Sequence, residues 1–268
     1  MLIEVADISK AYPQAREGES AAVVENLSFA IAEGEFVCII GPSGCGKSTL
    51  LNMIAGFIPP DRGKICFDGR QINRPDPERA VVFQEATLFP WMNLRRNIEL
   101  GPKAAGVAKT ELHRIVNDCL ALVDLNCSQQ AYPHQLSGGM KQRAALARVL
   151  ALQPRLLLMD EPFSALDADT REHLQDQLLK ICAKRRQTVV FVTHSVEEAA
   201  YLADRVIIMG YPPNRCYASL RIQRGQERSR TDKQQMFNIL RLRAALKDLS
   251  RQLPDGANAP QGCTQQDV

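Results

Sequence analysis

Within eight residues, Gly41-Pro42-Ser43-Gly44-Cys45-Gly46-Lys47-Ser48 combines three glycines, a lysine and two hydroxyls. The spacing is G-x-x-x-x-G-K-[ST] without a mismatch, the pattern of a loop that wraps phosphate. Glycines let the backbone curl until successive N–H groups face one anion. A helix starting where the loop ends adds positive potential. Lys47 is then expected to reach the β- and γ-phosphates, and the Ser48 hydroxyl to ligate Mg²⁺.

Such a loop does chemistry only beside a metal-orienting acid and a group that activates water. Leu156-Leu157-Leu158-Met159-Asp160-Glu161 offers both at the end of an apolar run. The run reads as a buried parallel strand, and open α/β sheets bind ligands at the C-terminal edge of such strands. Asp160 is the expected ligand of the Mg²⁺ shell. Glu161, one residue on, is the expected general base, whose removal typically costs ~10²–10⁴ in rate. His194 follows the apolar run Thr188-Val189-Val190-Phe191-Val192 and belongs at the same edge, touching the γ-phosphate and positioning Glu161 and the water. Ser195-Val196-Glu197-Glu198 has the form of a capping box, which would start a helix and fix the histidine. Gln84 ends the run Ala80-Val81-Val82-Phe83, where an amide can ligate Mg²⁺ and orient water without carrying charge. Tyr12 follows a first strand over residues 2–8, in a loop where its ring could stack on adenine.

The elements that must position these residues are legible in the pattern. Phe36-Val37-Cys38-Ile39-Ile40 is a buried-strand run leading into the glycine loop, and residues 49–55 form a helix that ends at Gly56. Residues 2–8, 23–31 and 64–68 alternate apolar and polar, which predicts an antiparallel sheet beside the core. Residues 92–151 are largely helical: Leu112, Ile115, Val116, Cys119, Leu120 and Val123 recur at helical spacing over 110–124. The expected fold class is α/β, a P-loop NTPase with a RecA-like core, an antiparallel β subdomain and a helical subdomain.

Composition bounds the rest. A length of 268 residues suits one large α/β domain, and 45% hydrophobic residues supply a real core. Mean hydropathy is −0.20, and no apolar stretch reaches the ~18 residues of a spanning helix. Met1-Leu2-Ile3-Glu4-Val5 lacks the pattern of a signal peptide, so a cytoplasmic setting is expected. The 33 basic residues nearly balance 30 acidic ones, leaving a net charge of +3 that gives no argument for nucleic acid. Eight cysteines without paired spacing exclude a zinc site or disulfide framework. Cys45, inside the glycine loop near Lys47, is expected to have thiolate character, to be alkylated in the nucleotide-free protein and to be protected by MgATP.

A second glycine loop, Leu136-Ser137-Gly138-Gly139-Met140, opens another helix far along the chain. Together these residues resemble the ATP-binding subunit of ABC transporters, over nearly all of residues 1–210 and in the family's order. Tyr12 matches the A-loop, Gly41 to Thr49 the P-loop, and Gln84 the Q-loop. Residues 136–140 match the signature, Asp160 ends Walker B, and Glu161 matches the catalytic glutamate. Ser164-Ala165-Leu166-Asp167 matches the D-loop and His194 the H-loop switch. One departure is Met140, where glutamine is common, which puts any polar role of that side chain in doubt. The resemblance implies cofactors ATP and Mg²⁺ and an isologous dimer with a second ATPase subunit, identical or a close paralogue. In that dimer Ser137, Gly138 and Gly139 of one subunit cap the ATP held by Gly41 to Thr49 of the other.

The resemblance also implies an integral membrane permease, an extracytoplasmic solute-binding protein, no nucleic acid, and a peripheral place on the cytoplasmic face of the inner membrane. Leu88-Phe89-Pro90-Trp91 either packs inside the helical subdomain or forms the apolar groove that receives the permease's coupling helix. The wording of residues 82–91, 161–167 and 193–199, with Met140, is similar to the nitrate, sulfonate, taurine and bicarbonate branch of bacterial importers. A non-transport ABC ATPase in translation or DNA repair is the alternative. It is disfavoured because those usually carry two ATPase units or a long coiled-coil insertion. The expected organisation is an ATPase domain over 1–213 with its helical subdomain at about 92–151, then an extension over 214–251. In the extension, residues 232–251 form a helix with Met236, Ile239, Leu240 and Leu246 on one face, packed back on the domain. The last stretch, 252–268, is rich in Gln, Pro, Gly and Asp and is expected to be disordered.

Overall fold

Five-residue apolar runs become central strands when both their faces are covered, and the alternation of contacts shows this directly. Phe36, Cys38 and Ile40 enter one hydrophobic core, while Val37 and Ile39 enter another on the opposite face. Met159 and Phe191 join the first core, and Leu158 and Val190 the second. The computed structural model describes residues 1–13, 20–211, 216–223 and 228–251.

In chain order the elements are β1 (Ile3–Pro13), β2 (Ser20–Ile31), β3 (Phe36–Ile40), α1 (Lys47–Ala55), β4 (Arg62–Phe67), β5 (Arg70–Gln71) and β6 (Arg79–Val82). There follow α2 (Leu94–Ala104), α3 (Lys109–Leu122), α4 (Gly138–Ala151), β7 (Leu156–Asp160), α5 (Ala168–Arg185) and β8 (Thr188–Val192). The chain continues through α6 (Val196–Leu202), β9 (Arg205–Met209), β10 (Cys216–Arg221) and α7 (Lys233–Arg251). One sheet has the order β10-β9-β3-β8-β7-β6, with every pairing parallel except β10 on β9. The other is antiparallel, β2-β1-β4-β5, as the alternating pattern predicts. Helices α2 to α6 line the first core, and α1 packs between the two sheets in the second.

Three expectations need correction. Strand β1 runs to Pro13, not to residue 8, so Tyr12 lies on a strand opposite Ala21 and not in a loop. Register shifts along β1 hide the alternation there, which is why the pattern stopped short. The strand before Gln84 ends at Val82. The α7 helix packs back on the domain, with Ile239 and Leu246 against the first core as expected, but its buried face is only partly the expected one. Gln235, Asn238, Leu242 and Leu249 are buried, whereas Met236 and Leu240 are exposed. Polar side chains take inner positions because they have partners: the Asn238 amide donates to Gln223 O at 2.7 Å and its Oδ1 accepts from Gln223 N at 3.2 Å. Strand β10 carried no recognised signal. Residues 252–268, expected to be disordered, lie outside the described residues.

Candidate functional site

Because β3, β8, β7 and β6 are neighbours and parallel, their C-terminal ends share one edge. Asp160 pairs with Val192, and Val192 with Ile39, in one row across the sheet. With strands ~4.8 Å apart, three steps carry the chain from the glycine loop to Gln84 in roughly 15 Å. The fold therefore delivers Lys47, His194, Glu161, Asp160 and Gln84 to one rim.

The loop is held tightly. A Cβ on Gly41 would lie 2.2 Å from Met209 O, and one on Gly46 would lie 2.8 Å from Val23 O. Gly46 is also the left-handed N-cap of α1, at φ 92°. Lys47 is 8% exposed, and its ammonium donates to Gly41 O at 3.0 Å and Pro42 O at 2.8 Å. Pro42 and Thr49 are half-buried, and Ser43, Gly44 and Ser48 are exposed at the mouth of the loop.

Cys45 differs from expectation. Its side chain is 1% exposed and faces the second core. Burial raises its pKa, against the opposing pull of Lys47, so the thiol form is favoured. Proximity to a lysine suggested a thiolate; the inward direction of the side chain decides otherwise.

Ser48 follows Lys47 at the start of α1, and its hydroxyl is near enough to the Asp160 carboxylate to favour the charged form. Burial lifts the Asp160 pKa, helped by the neighbouring Glu161 charge and opposed by Ser48 and Lys47. A half-buried acid with a hydroxyl close by supplies oxygen donors of the kind Mg²⁺ uses. Among the described residues no group of three or more His, Cys, Asp and Glu could hold a metal ion by itself. These residues fit Mg²⁺.

Glu161 has φ 45°, a left-handed conformation at a non-glycine residue. Its N–H donates to Val192 O at 3.0 Å, continuing the ladder for one more residue before the chain turns. The turn ends strand alternation, and Glu161 Oε2 comes to 3.2 Å from His194 Nδ1. Thr193 and Ser195 line the same cleft. The capping box forms only half-way. Ser195 Oγ accepts from Glu198 N at 3.1 Å, but the Glu198 carboxylate is taken by Thr193 Oγ1 at 2.5 Å and Gln175 Nε2 at 3.1 Å.

Gln84 is exposed beyond its strand, at the far end of the rim. Tyr12 is 40% exposed. It belongs to the β1–β2 hairpin, whose Val23 abuts Gly46. Ser137 caps α4, its Oγ accepting from Met140 N at 3.3 Å. Ser137 and Gly138 are exposed, and the atoms nearest a Cβ on Gly139 belong to Leu166 and Ala165, not to the glycine loop. The Met140 side chain packs against the first core, so its departure from glutamine serves the interior.

Four residues had no sequence signal. Asn97, fully buried, donates to Phe89 O, Met92 O and Asn93 O and accepts from Phe89 N. It clamps the turn that carries Leu88 inward against the core and leaves Trp91 68% exposed. Leu88 thus packs inside, as the first reading of that stretch expects, while Trp91 faces outward. Arg171 donates to Phe163 O and Leu166 O, bracing the segment after Glu161. Arg205 pairs with Glu35 at 2.7 Å beneath the loop strand. Tyr211 donates to Ser43 O at 2.6 Å.

The rim and its glycine loop define a P-loop NTPase, and comparison with known proteins narrows the class. The model of the ABC transporter family matches residues 24–164. A nitrate import ATP-binding protein of Synechococcus elongatus is 47% identical over 208 residues, which is 77% of this chain and 75% of that protein. A bicarbonate transport ATP-binding protein of Synechocystis is 45% identical over 214 residues, 79% of this chain and 75% of that one. A solved dimeric structure of an ATP-binding cassette in a post-hydrolysis state, bound to ADP and Pi, superposes with a TM-score of 0.73 at 30% identity. It covers 83% of this chain and all of its own. The chain belongs to the ABC transporter family as an ATP-hydrolysing, transport-coupled subunit, and its relatives lie in the importer branch. Among the described residues no helix is long and apolar enough to cross a membrane.

Proposed function

We propose that this chain is the motor of an importer for a small oxyanion of the nitrate, sulfonate, taurine or bicarbonate type. The observation that carries the site assignment is the 3.2 Å contact of Glu161 with His194 on the same sheet edge as the Lys47 loop. Relatives named for nitrate and bicarbonate support the solute class.

In this reading the backbone N–H groups of residues 41–49 bind the phosphates, and Tyr12 stacks on adenine. Lys47 exchanges its two carbonyl partners for the β- and γ-phosphates. Ser48, Asp160 and Gln84 would hold Mg²⁺, which would neutralise charge on the phosphates. Glu161 accepts the proton of the attacking water, and His194 keeps that carboxylate aimed. A water so positioned attacks the γ-phosphorus, the bond to the β-phosphate oxygen breaks, and ADP leaves with inorganic phosphate.

Ser137, Gly138 and Gly139 cap the nucleotide of a second ATPase subunit, since Ser137 and Gly138 are exposed on their own chain. Loss of the γ-phosphate then opens the dimer. The Trp91 turn receives an integral membrane permease, served by an extracytoplasmic solute-binding protein, with this subunit on the cytoplasmic face of the membrane. The ATPase domain spans 1–213 with its helical subdomain at about 92–151, and 214–251 is an extension.

Two experiments test this. Glu161→Gln with MgATP should elute as a dimer, and a persistent monomer would sink the shared-nucleotide arrangement. Affinity purification from gently solubilised native membranes should recover a multi-span permease. Recovery with ribosomes or DNA-repair proteins instead would overturn the importer reading.

A further inference from the structure

The glycine loop receives a hydrogen bond from outside its own strand and helix. Tyr211 lies just past β9, the strand parallel to β3, with Ile208 opposite Ile40. At this end the two strands are in close approach, as the 2.2 Å separation of a Gly41 Cβ from Met209 O shows. The Tyr211 ring packs, half-buried, against the second core, and its hydroxyl donates to Ser43 O at 2.6 Å. In a planar trans peptide the C=O and the following N–H point in opposite directions. Holding Ser43 O toward Tyr211 therefore turns the Gly44 N–H the other way. Gly44 has no hydrogen-bond partner for that N–H among the described residues, and the space around its α-carbon is open. Glycine leaves this peptide free to rotate, so an external anchor has something to fix.

We propose that Tyr211 is a positioning residue for nucleotide: its hydroxyl locks the Ser43–Gly44 peptide in the orientation that offers the Gly44 N–H to phosphate. The inference rests on the nucleotide reading of the loop. Preorganising one peptide lowers the ordering cost of binding, so its effect falls on affinity and not on the chemical step.

The test is Tyr211→Phe, which keeps the ring and removes only the hydroxyl. Affinity for MgATP should fall about threefold to tenfold, the usual net worth of one hydrogen bond. The KM for ATP should rise alike, with kcat unchanged and the thermal midpoint of the nucleotide-free protein lowered by only a few degrees. Amide exchange at Gly44 should quicken in the variant. Equal affinity in both proteins would overturn the proposal and leave the nucleotide reading standing. Failure of the unsubstituted protein to bind MgATP would end both. A fall in kcat at constant KM, or a variant too unstable to assay, would place the hydroxyl in catalysis or in folding and overturn the proposal.

Discussion

Glu161 Oε2 lies 3.2 Å from His194 Nδ1, although 32 positions of chain and the whole of α5 separate the two strand ends they follow. The link is short because β7 and β8 are adjacent parallel strands and Glu161 turns left-handed as soon as β7 ends. His194→Ala removes the partner that aims the carboxylate. ATP hydrolysis should fall about tenfold to a hundredfold, the scale of a misplaced catalytic group. A phosphate-release assay beside a nucleotide-binding titration checks this. An equal loss of ATP affinity would mean that His194 holds nucleotide rather than the base.

Asp160 gives a prediction with a sign. Burial places its folded-state pKa above that of the unfolded chain, so its contribution to stability diminishes as pH rises through the folded value. At neutral pH the folded protein carries a carboxylate whose charge its surroundings disfavour. Asp160→Asn should therefore match or exceed the nucleotide-free thermal midpoint of the parent at pH 7, at about 2–4 °C for each kcal/mol gained. The advantage should vanish in acid, where Asp160 is protonated, and stabilisation by MgATP should be lost. Paired melting curves across pH decide it; a variant less stable at pH 7 would contradict the sign.

Cys45 should resist iodoacetamide in the native protein, with or without MgATP, because its thiol is buried and its pKa raised. Exposed Cys127 should react before it. Modest urea should then release Cys45. Peptide mapping by mass spectrometry reads the order, and rapid labelling of native Cys45 would show that the loop opens far more than its packing suggests.

Asn97→Ala should loosen the turn that displays Trp91. It leaves Phe89 N–H and Met92 O without their buried partner, at about 1–3 kcal/mol for an orphaned group. Trp91 is the single tryptophan, so its fluorescence anisotropy reports this segment alone. Anisotropy should fall while MgATP binding persists. An unchanged signal would mean that the Phe89 ring, 5.5 Å from Trp91, holds the indole unaided.

The linear order of residues determined the P-loop NTPase fold and the identity of the rim residues. Five-residue apolar runs admit one structure when buried on two faces, and strands of that kind must end at a common edge. Gly41 to Ser48 carries its loop geometry in local backbone freedom, which is why the turn into α1 is legible without coordinates. Register-disrupted β1 was not legible, and Tyr12 was misplaced, because bulges break the period of two on which strand reading depends. Cys45 was misjudged for a related reason. Sequence reports a neighbouring charge but not which way a side chain points, and burial outweighed Lys47. Asn97, Arg171 and Tyr211 act through carbonyls that are distant or turn-dependent, so no spacing announces them. The α7 face was only partly legible because Gln235 and Asn238 are buried against partners that a hydrophobicity pattern cannot count. What the chain encodes locally is the chemistry; which side chain faces which carbonyl is settled only when the sheet order, the cores and the hydrogen bonds form together.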